Sequence, residues 1–268
     1  MMNGWHEIVR GEQDAPAVLF LHGFMGEGAD WMEVADELCA TCRCICPDLP
    51  GHGRTQLSGD RFSFDYVAAG LLARLDALGV SRCGLAGYSM GGRLALYLAL
   101  RHPGRFHRVV LESATPGLRD PEEREHRRQH DESAAAGLES TSAEDFSRFV
   151  QEWYEQPMFM TLHRNPARLS QMIARRLHNH PSGLAASLRG MGAGAQPSLW
   201  EALAGYCTPT LLVVGEDDPK FRQIAESMSE ASPAMAVQVM ERCGHNVHFE
   251  NPAGYTTLLR GFLTGGNA

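Results

Sequence analysis

Residues Gly87-Tyr88-Ser89-Met90-Gly91 set a serine between two glycines, with an apolar strand-like run before them and an apolar helix-like run after. A serine on so tight a strand-to-helix turn exposes its hydroxyl. The turn needs small residues at both flanks, because a Cβ at either glycine would meet neighbouring backbone. Amides that open the following helix face the same point and can hold an anion or a developing oxyanion, and the helix macrodipole adds to them. An ordinary glycine-rich turn shares this spacing, so Ser89 is judged by its partners.

A serine hydroxyl is inert at its ordinary pKa. It needs a histidine to take its proton, and the histidine needs a carboxylate to orient it. Both types occur just after strand-like runs further along the chain. Leu211-Leu212-Val213-Val214 leads into Gly215-Glu216-Asp217-Asp218-Pro219, and Arg242-Cys243-Gly244-His245-Asn246 follows the last such run. Gly244 gives His245 a tight turn, which makes it the expected base, with His248 the local competitor. Either Asp217 or Asp218 could reach it from the loop; the G-x-x-D spacing from Gly215 favours Asp218. An oxyanion hole would pair the amide after the nucleophile, Met90, with one in the early loop His22-Gly23-Phe24, that of Phe24. Arg93 lies one turn beyond Ser89 on the same helix pattern, where it could face an anionic substrate.

These residues need a scaffold that delivers them to one edge. Short apolar runs at Val18–Leu21, Cys44–Cys46, Gly84–Ala86, Val109–Leu111, Thr210–Val214 and Val237–Met240 mostly lack polar alternation, as strands covered on both faces do. Helix-like segments fall at 30–40, 64–79, 91–102, 220–230 and 252–263. The alternation predicts a doubly wound α/β layer with its site beyond the carboxyl ends of the strands. Residues 119–200 break the pattern: they are polar and helix-rich, read as an insertion over the site. The tail from Thr264 is expected to fray.

At 268 residues, 44% hydrophobic and 21% charged, the chain fits one globular enzyme. A net charge of −8 argues against nucleic-acid partners, which require a basic surface. No apolar run approaches the roughly 20 residues that span a bilayer, and the start lacks the pattern of a signal peptide, so a cytoplasmic protein without membrane contact is expected. Seven cysteines, an odd count, suit reduced thiols. Cys39, Cys42, Cys44 and Cys46 cluster but lack paired zinc-knuckle spacing. The last three alternate along a strand and would share one buried face. Neither metal nor organic cofactor is expected.

Taken together, Leu21-His22-Gly23-Phe24, Pro47-Asp48-Leu49-Pro50-Gly51-His52-Gly53, Gly87-Tyr88-Ser89-Met90-Gly91-Gly92 and Gly244-His245 resemble, in order, the recurring motifs of the α/β-hydrolase superfamily. The resemblance implies an α/β-hydrolase fold: a mostly parallel central sheet flanked by helices, with the core in 1–118 and 201–268 and a helical cap in 119–200. Many chemistries share that fold. A narrower resemblance comes from Gly87–Arg93, Pro116-Gly117-Leu118, Trp153-Tyr154-Glu155-Gln156-Pro157-Met158-Phe159, Gly215–Phe221 and Gly244–Pro252. These are similar to the 2-succinyl-6-hydroxy-2,4-cyclohexadiene-1-carboxylate synthases of menaquinone biosynthesis.

That likeness implies a lyase whose Ser-His-Asp triad removes a proton and expels pyruvate from a small tricarboxylate. It implies that Arg127 and Arg176 join Arg93 in holding carboxylates, although Arg124 and Arg128 flank the first and Arg175 abuts the second. Tyr88 and Trp153 would line the pocket; both would serve equally as plain core aromatics. A carboxylesterase, thioesterase or carbon–carbon bond hydrolase would keep the same triad, and a binding protein on a dead hydrolase fold would have no use for it.

Overall fold

Alternate residues of the apolar runs bury into opposite layers: Leu19, Leu85 and Val109 join one core, and Val18, Ala86 and Val110 the other. This period of two, apolar on both sides, is what a doubly covered strand requires. The computed structural model describes residues 4–264; the expected frayed tail beyond Thr264 and the first three residues of the chain start lie outside the described residues. Seven strands form one sheet: β1 (Glu7–Arg10), β2 (Ala17–Leu21), β3 (Arg43–Pro47), β4 (Cys83–Tyr88), β5 (Phe106–Glu112), β6 (Thr210–Gly215) and β7 (Met235–Met240). Their order is β1-β3-β2-β4-β5-β6-β7, with β1 antiparallel to β3 and every other pair parallel.

The helices are α1 (Met32–Leu38), α2 (Phe64–Ala77), α3 (Met90–Arg101), α4 (Pro121–Glu139), α5 (Ala143–Tyr154), α6 (Pro166–Arg176), α7 (Pro181–Met191), α8 (Pro219–Ala231), α9 (Val247–Glu250) and α10 (Pro252–Thr264). Helices α2, α3 and α8 bury apolar stripes in one layer, and α1 and α10 in the other. The fold is thus the α/β-hydrolase architecture implied by the motifs. Among the described residues no helix is long and apolar enough to cross a membrane. Cys42, Cys44 and Cys46 are buried together in the second layer, where desolvation pushes the Cys44 thiol up to about 12.

Strand β1 is not among the expected strands. Its Glu-Ile-Val-Arg run is too short and too polar to announce itself, and at the sheet edge its first three side chains are only partly buried and Arg10 is exposed. Its place is set by antiparallel pairing, Glu7 opposite Pro47 through Arg10 opposite Cys44.

Between β5 and β6 the chain forms no strand among the described residues: loops join α4 to α7, with 3₁₀ segments over Pro157–Arg164 and Glu201–Gly205. Side-chain caps start α4, α5 and α6: Asp120 accepts from the Glu122 amide, Ser142 from Asp145 and Asn165 from Arg168, each satisfying an otherwise orphaned donor. They build a small core of their own around Phe146, Val150, Leu169, Met172 and Leu184, closed against Met25 of the loop after β2. A polar seam completes the contact, through Arg168–Glu33, Arg164–Asp217 and Arg176–Asp30. The helices therefore roof the strand ends, leaving a cavity of about 420 Å³ between roof and sheet.

Candidate active site

Ser89 sits where β4 becomes α3 at φ 50°, ψ −109°, a left-handed conformation that a serine adopts only when its surroundings impose it. They do so tightly. A Cβ on Gly87 would lie 2.4 Å from the Gly91 carbonyl oxygen, and one on Gly91 would lie 2.2 Å from that of Leu21. The Ser89 amide donates to the Glu112 carbonyl at 2.8 Å and its carbonyl accepts from Arg93 at 2.9 Å, pinning the turn between β5 and the helix.

The structure brings His245 and Asp218 to this serine. His245 Nε2 lies 3.3 Å from Ser89 Oγ, and Nδ1 lies 2.8 Å from Asp218 Oδ2. With Nδ1–H donating to the carboxylate, Nε2 is left as an acceptor for the serine proton. The other carboxylate oxygen, Oδ1, accepts from the Phe221 amide at 3.2 Å and caps α8, so one residue both starts the helix and orients the imidazole. The ring is enclosed edge-on by Phe221 and Phe159 and at a tilt by Tyr88, with centroids 4.6, 5.7 and 5.5 Å away. Asp217 points elsewhere, into an exposed ion pair with Arg164 at 2.8 Å. His248 is also diverted: its Nδ1 bonds the buried Glu112 carboxylate at 2.8 Å, and its ring stacks on Trp31 at 4.1 Å. It props the far side of Tyr88.

Met90 opens α3, so its amide has no partner within the helix, and the loop carrying Phe24 lies close by. A Cβ on the intervening Gly23 would lie 3.7 Å from Ser89 Cβ. His22 shapes that loop by donating from Nδ1 to the Gly23 carbonyl and accepting the Leu49 amide at Nε2. Burial lowers its pKa, which keeps the ring neutral and able to do both.

Arg93, Arg127 and Arg176 all line the cavity, and Arg124, Arg128 and Arg175 do not. Their states differ. Arg93 reaches the Gln196 amide oxygen at 3.4 Å and makes no ion pair among the described residues; burial, with the like charge of Arg127 adding, pushes its guanidinium down to about 10. Arg127 pairs with Asp131 one turn along α4 at 2.7 Å. Arg176 is buried in a two-point pair with Asp30, at 2.9 and 2.8 Å, and donates from Nε to the Tyr154 hydroxyl. Trp153 lines the wall and packs on Phe24 at 5.1 Å. Tyr88 is buried against both histidines, and burial holds its phenol well above the ordinary range, so it stays protonated.

Asp30 and Gln196 line the same cavity without having any motif to mark them, and Tyr154 lines it too, inside a motif that gave it no role. Their importance comes from partners distant in sequence, such as Asp30 with Arg176. The arrangement as a whole can activate a hydroxyl, take up a proton, stabilise an oxyanion at two amides and receive a multiply anionic molecule.

Comparison with known proteins identifies the family. Residues 16–252 match the family model for the alpha/beta hydrolase fold. The chain is 32% identical over 257 residues to the 2-succinyl-6-hydroxy-2,4-cyclohexadiene-1-carboxylate synthase of Serratia proteamaculans (strain 568), covering 96% of each. It superposes on the structure of MenH from S. aureus with a TM-score of 0.90 and 32% identity, covering 98% of both chains. It is also 33% identical over 275 residues to Protein PHYLLO, chloroplastic, of Arabidopsis thaliana, of whose length it spans only 16%.

Proposed function

The chain belongs to the α/β-hydrolase fold family and, within it, to that of the 2-succinyl-6-hydroxy-2,4-cyclohexadiene-1-carboxylate synthases, and we propose that it is a pyruvate-eliminating lyase of menaquinone biosynthesis. Its substrate is then 2-succinyl-5-enolpyruvyl-6-hydroxy-3-cyclohexene-1-carboxylate. Ser89, its proton drawn off by His245, removes the ring proton next to the succinyl ketone. The resulting enolate oxygen is held by the Met90 and Phe24 amides. Its electrons then move through the ring alkene to break the bond to the enolpyruvyl oxygen, and the departing enolate takes a proton from His245 and becomes pyruvate. An oxyanion hole serves an enolate for the same electrostatic reason that it serves a tetrahedral intermediate, so no acyl-enzyme is needed.

The observation that carries this reading is Arg93: a cation desolvated at the cavity wall that makes no ion pair among the described residues, while the nearby Asp131 carboxylate is taken up by Arg127. A site for neutral esters has no reason to bear that cost; a tricarboxylate supplies the missing charge. In this reading residues 1–118 and 201–268 form the catalytic body, and 119–200 form the roof that contributes Arg127, Trp153 and Arg176. The test is incubation with the enolpyruvyl precursor while pyruvate and the absorbance of the ring diene are followed together. The lyase releases both in equal amounts; rapid turnover of simple esters without pyruvate release would instead identify a hydrolase.

A further inference from the structure

Of 24 basic Lys and Arg side chains, Lys220 is the only lysine in the chain. It lines the catalytic cavity, at the second residue of α8, two positions after Asp218. Its side chain is exposed, which places it at the mouth, and its Nζ lies 5.9 Å from the centroid of Phe221, the ring that packs on His245. Among the described residues its ammonium makes no ion pair and no hydrogen bond. Of the cavity's arginine and lysine side chains, Arg176 is paired with Asp30 and Arg127 with Asp131, so among the described residues only Arg93 and Lys220 make no ion pair. These two stand apart: Arg93 is held at Gln196, the residue that also binds the Thr115 carbonyl, while Lys220 is on the His245 side.

We propose that Lys220 is a substrate-binding residue whose ammonium holds the carboxylate of the enolpyruvyl arm, the part of the substrate that departs as pyruvate. This rests on the lyase reading above. The ring and succinyl carboxylates remain in the product and fit the deeper arginines, where desolvation strengthens the contact. The arm that leaves first belongs at the mouth, beside the histidine that returns its proton. A lysine suits that task. Its ammonium is a hydrated point charge on a flexible stem that can follow a departing carboxylate, whereas a guanidinium fork would fix it.

Because the chain has one lysine, reductive methylation with ¹³C-formaldehyde places a single dimethyl-lysine signal on the protein, distinct from that of the α-amine. Adding precursor to methylated Ser89→Ala protein shifts that signal. In kinetics, Lys220→Met lowers kcat/KM about fivefold at low salt, the upper range for an exposed charge pair, with the loss fading as salt screens it. Lys220→Arg keeps most of the activity. Lys220→Met also weakens competitive inhibition by pyruvate while inhibition by succinate stays within about twofold. The proposal is overturned by a lysine signal that stays fixed while calorimetry shows precursor bound, by Lys220→Met activity within about twofold of wild type at low salt, or by equal weakening of both inhibitors. Wild-type release of pyruvate alongside any of these leaves the lyase reading standing; absence of that release removes both.

Discussion

Replacing Asp218 by asparagine separates its two roles. In the native site Oδ1 accepts the Phe221 amide and Oδ2 accepts His245 Nδ1–H. Asparagine keeps one carbonyl oxygen, and the helix cap fixes which way it points, toward Phe221. The amide NH₂ must then face His245 Nδ1. That ring nitrogen becomes an acceptor, the proton moves to Nε2, and an Nε2–H cannot take the proton of Ser89. The expected loss in kcat is on the order of 10⁴-fold, the scale seen for this exchange in a serine-protease triad and equivalent to about 5.4 kcal/mol of barrier. Stability barely changes, because asparagine caps as well as aspartate and a hydrogen bond to the ring survives; a shift under about 1 kcal/mol is expected. Asp218→Ala removes the cap, worth about 1 kcal/mol, and leaves a buried ring N–H unpaired at about 1–3 kcal/mol more. Pyruvate release measures the first effect and urea unfolding the second. Asp217→Asn is the control: its pair with Arg164 is exposed at 37% and 56%, so activity stays within about twofold and stability within about 1 kcal/mol. An Asp218→Asn enzyme retaining a tenth of native kcat, or an Asp217→Asn enzyme losing as much, would refute the assignment of roles.

Three further outcomes are expected. Ser89→Ala abolishes pyruvate release by orders of magnitude while the fold survives, since the sheet imposes the turn; circular dichroism alongside the assay checks this, and near-native turnover removes Ser89 from the mechanism. Arg93→Ala and Arg127→Ala each lower kcat/KM by roughly ten- to a hundredfold through a lost charge-assisted contact, with lysine restoring only part; values within about twofold for both would end the tricarboxylate reading. Arg176→Met tests the seam between roof and body. Burial pushes the Asp30 carboxyl up, but Arg176, with Arg175 adding at 3.2 Å, more than offsets this and holds it below its ordinary value, so native stability from this group is present above the unfolded pKa of about 3.9 and lost as pH falls through the lower folded one. Without Arg176 burial is opposed mainly by the half-exposed Arg175, and the folded pKa rises. The variant is then destabilised by about 3 kcal/mol at pH 7, and part of the deficit returns as pH falls toward 5 and Asp30 takes up a proton. Urea midpoints at both pH values measure it, and a deficit that does not shrink refutes the account.

The elbow was legible because its constraint is local: Gly87 and Gly91 are glycine since backbone from adjacent strands and the helix leaves no room for a Cβ, and that requirement marks Ser89 whatever surrounds it. The strands covered on both faces were legible for the same reason, as apolar runs need no partner to be recognised. Where the meaning of a residue depends on a distant one, the sequence is mute. Glu7–Arg10 becomes a strand only because β3 offers an edge, and nothing in four half-polar residues says so. Asp217 and Asp218 are chemically alike, and the roof decides between them by bringing Arg164 to the first while α8 claims the second as its cap. The arginines follow the same rule. Arg93, Arg127 and Arg176 can be picked out by position or by likeness, but only the fold shows that two carry carboxylates of their own and one does not. A binding cation is distinguished from a structural one by the charge left over after the protein has folded. That remainder is set by pairs as near as Arg127 with Asp131, one turn apart, and as distant as Arg176 with Asp30, and it is at Arg93, more buried than Lys220, that the chemistry of the substrate is most sharply constrained.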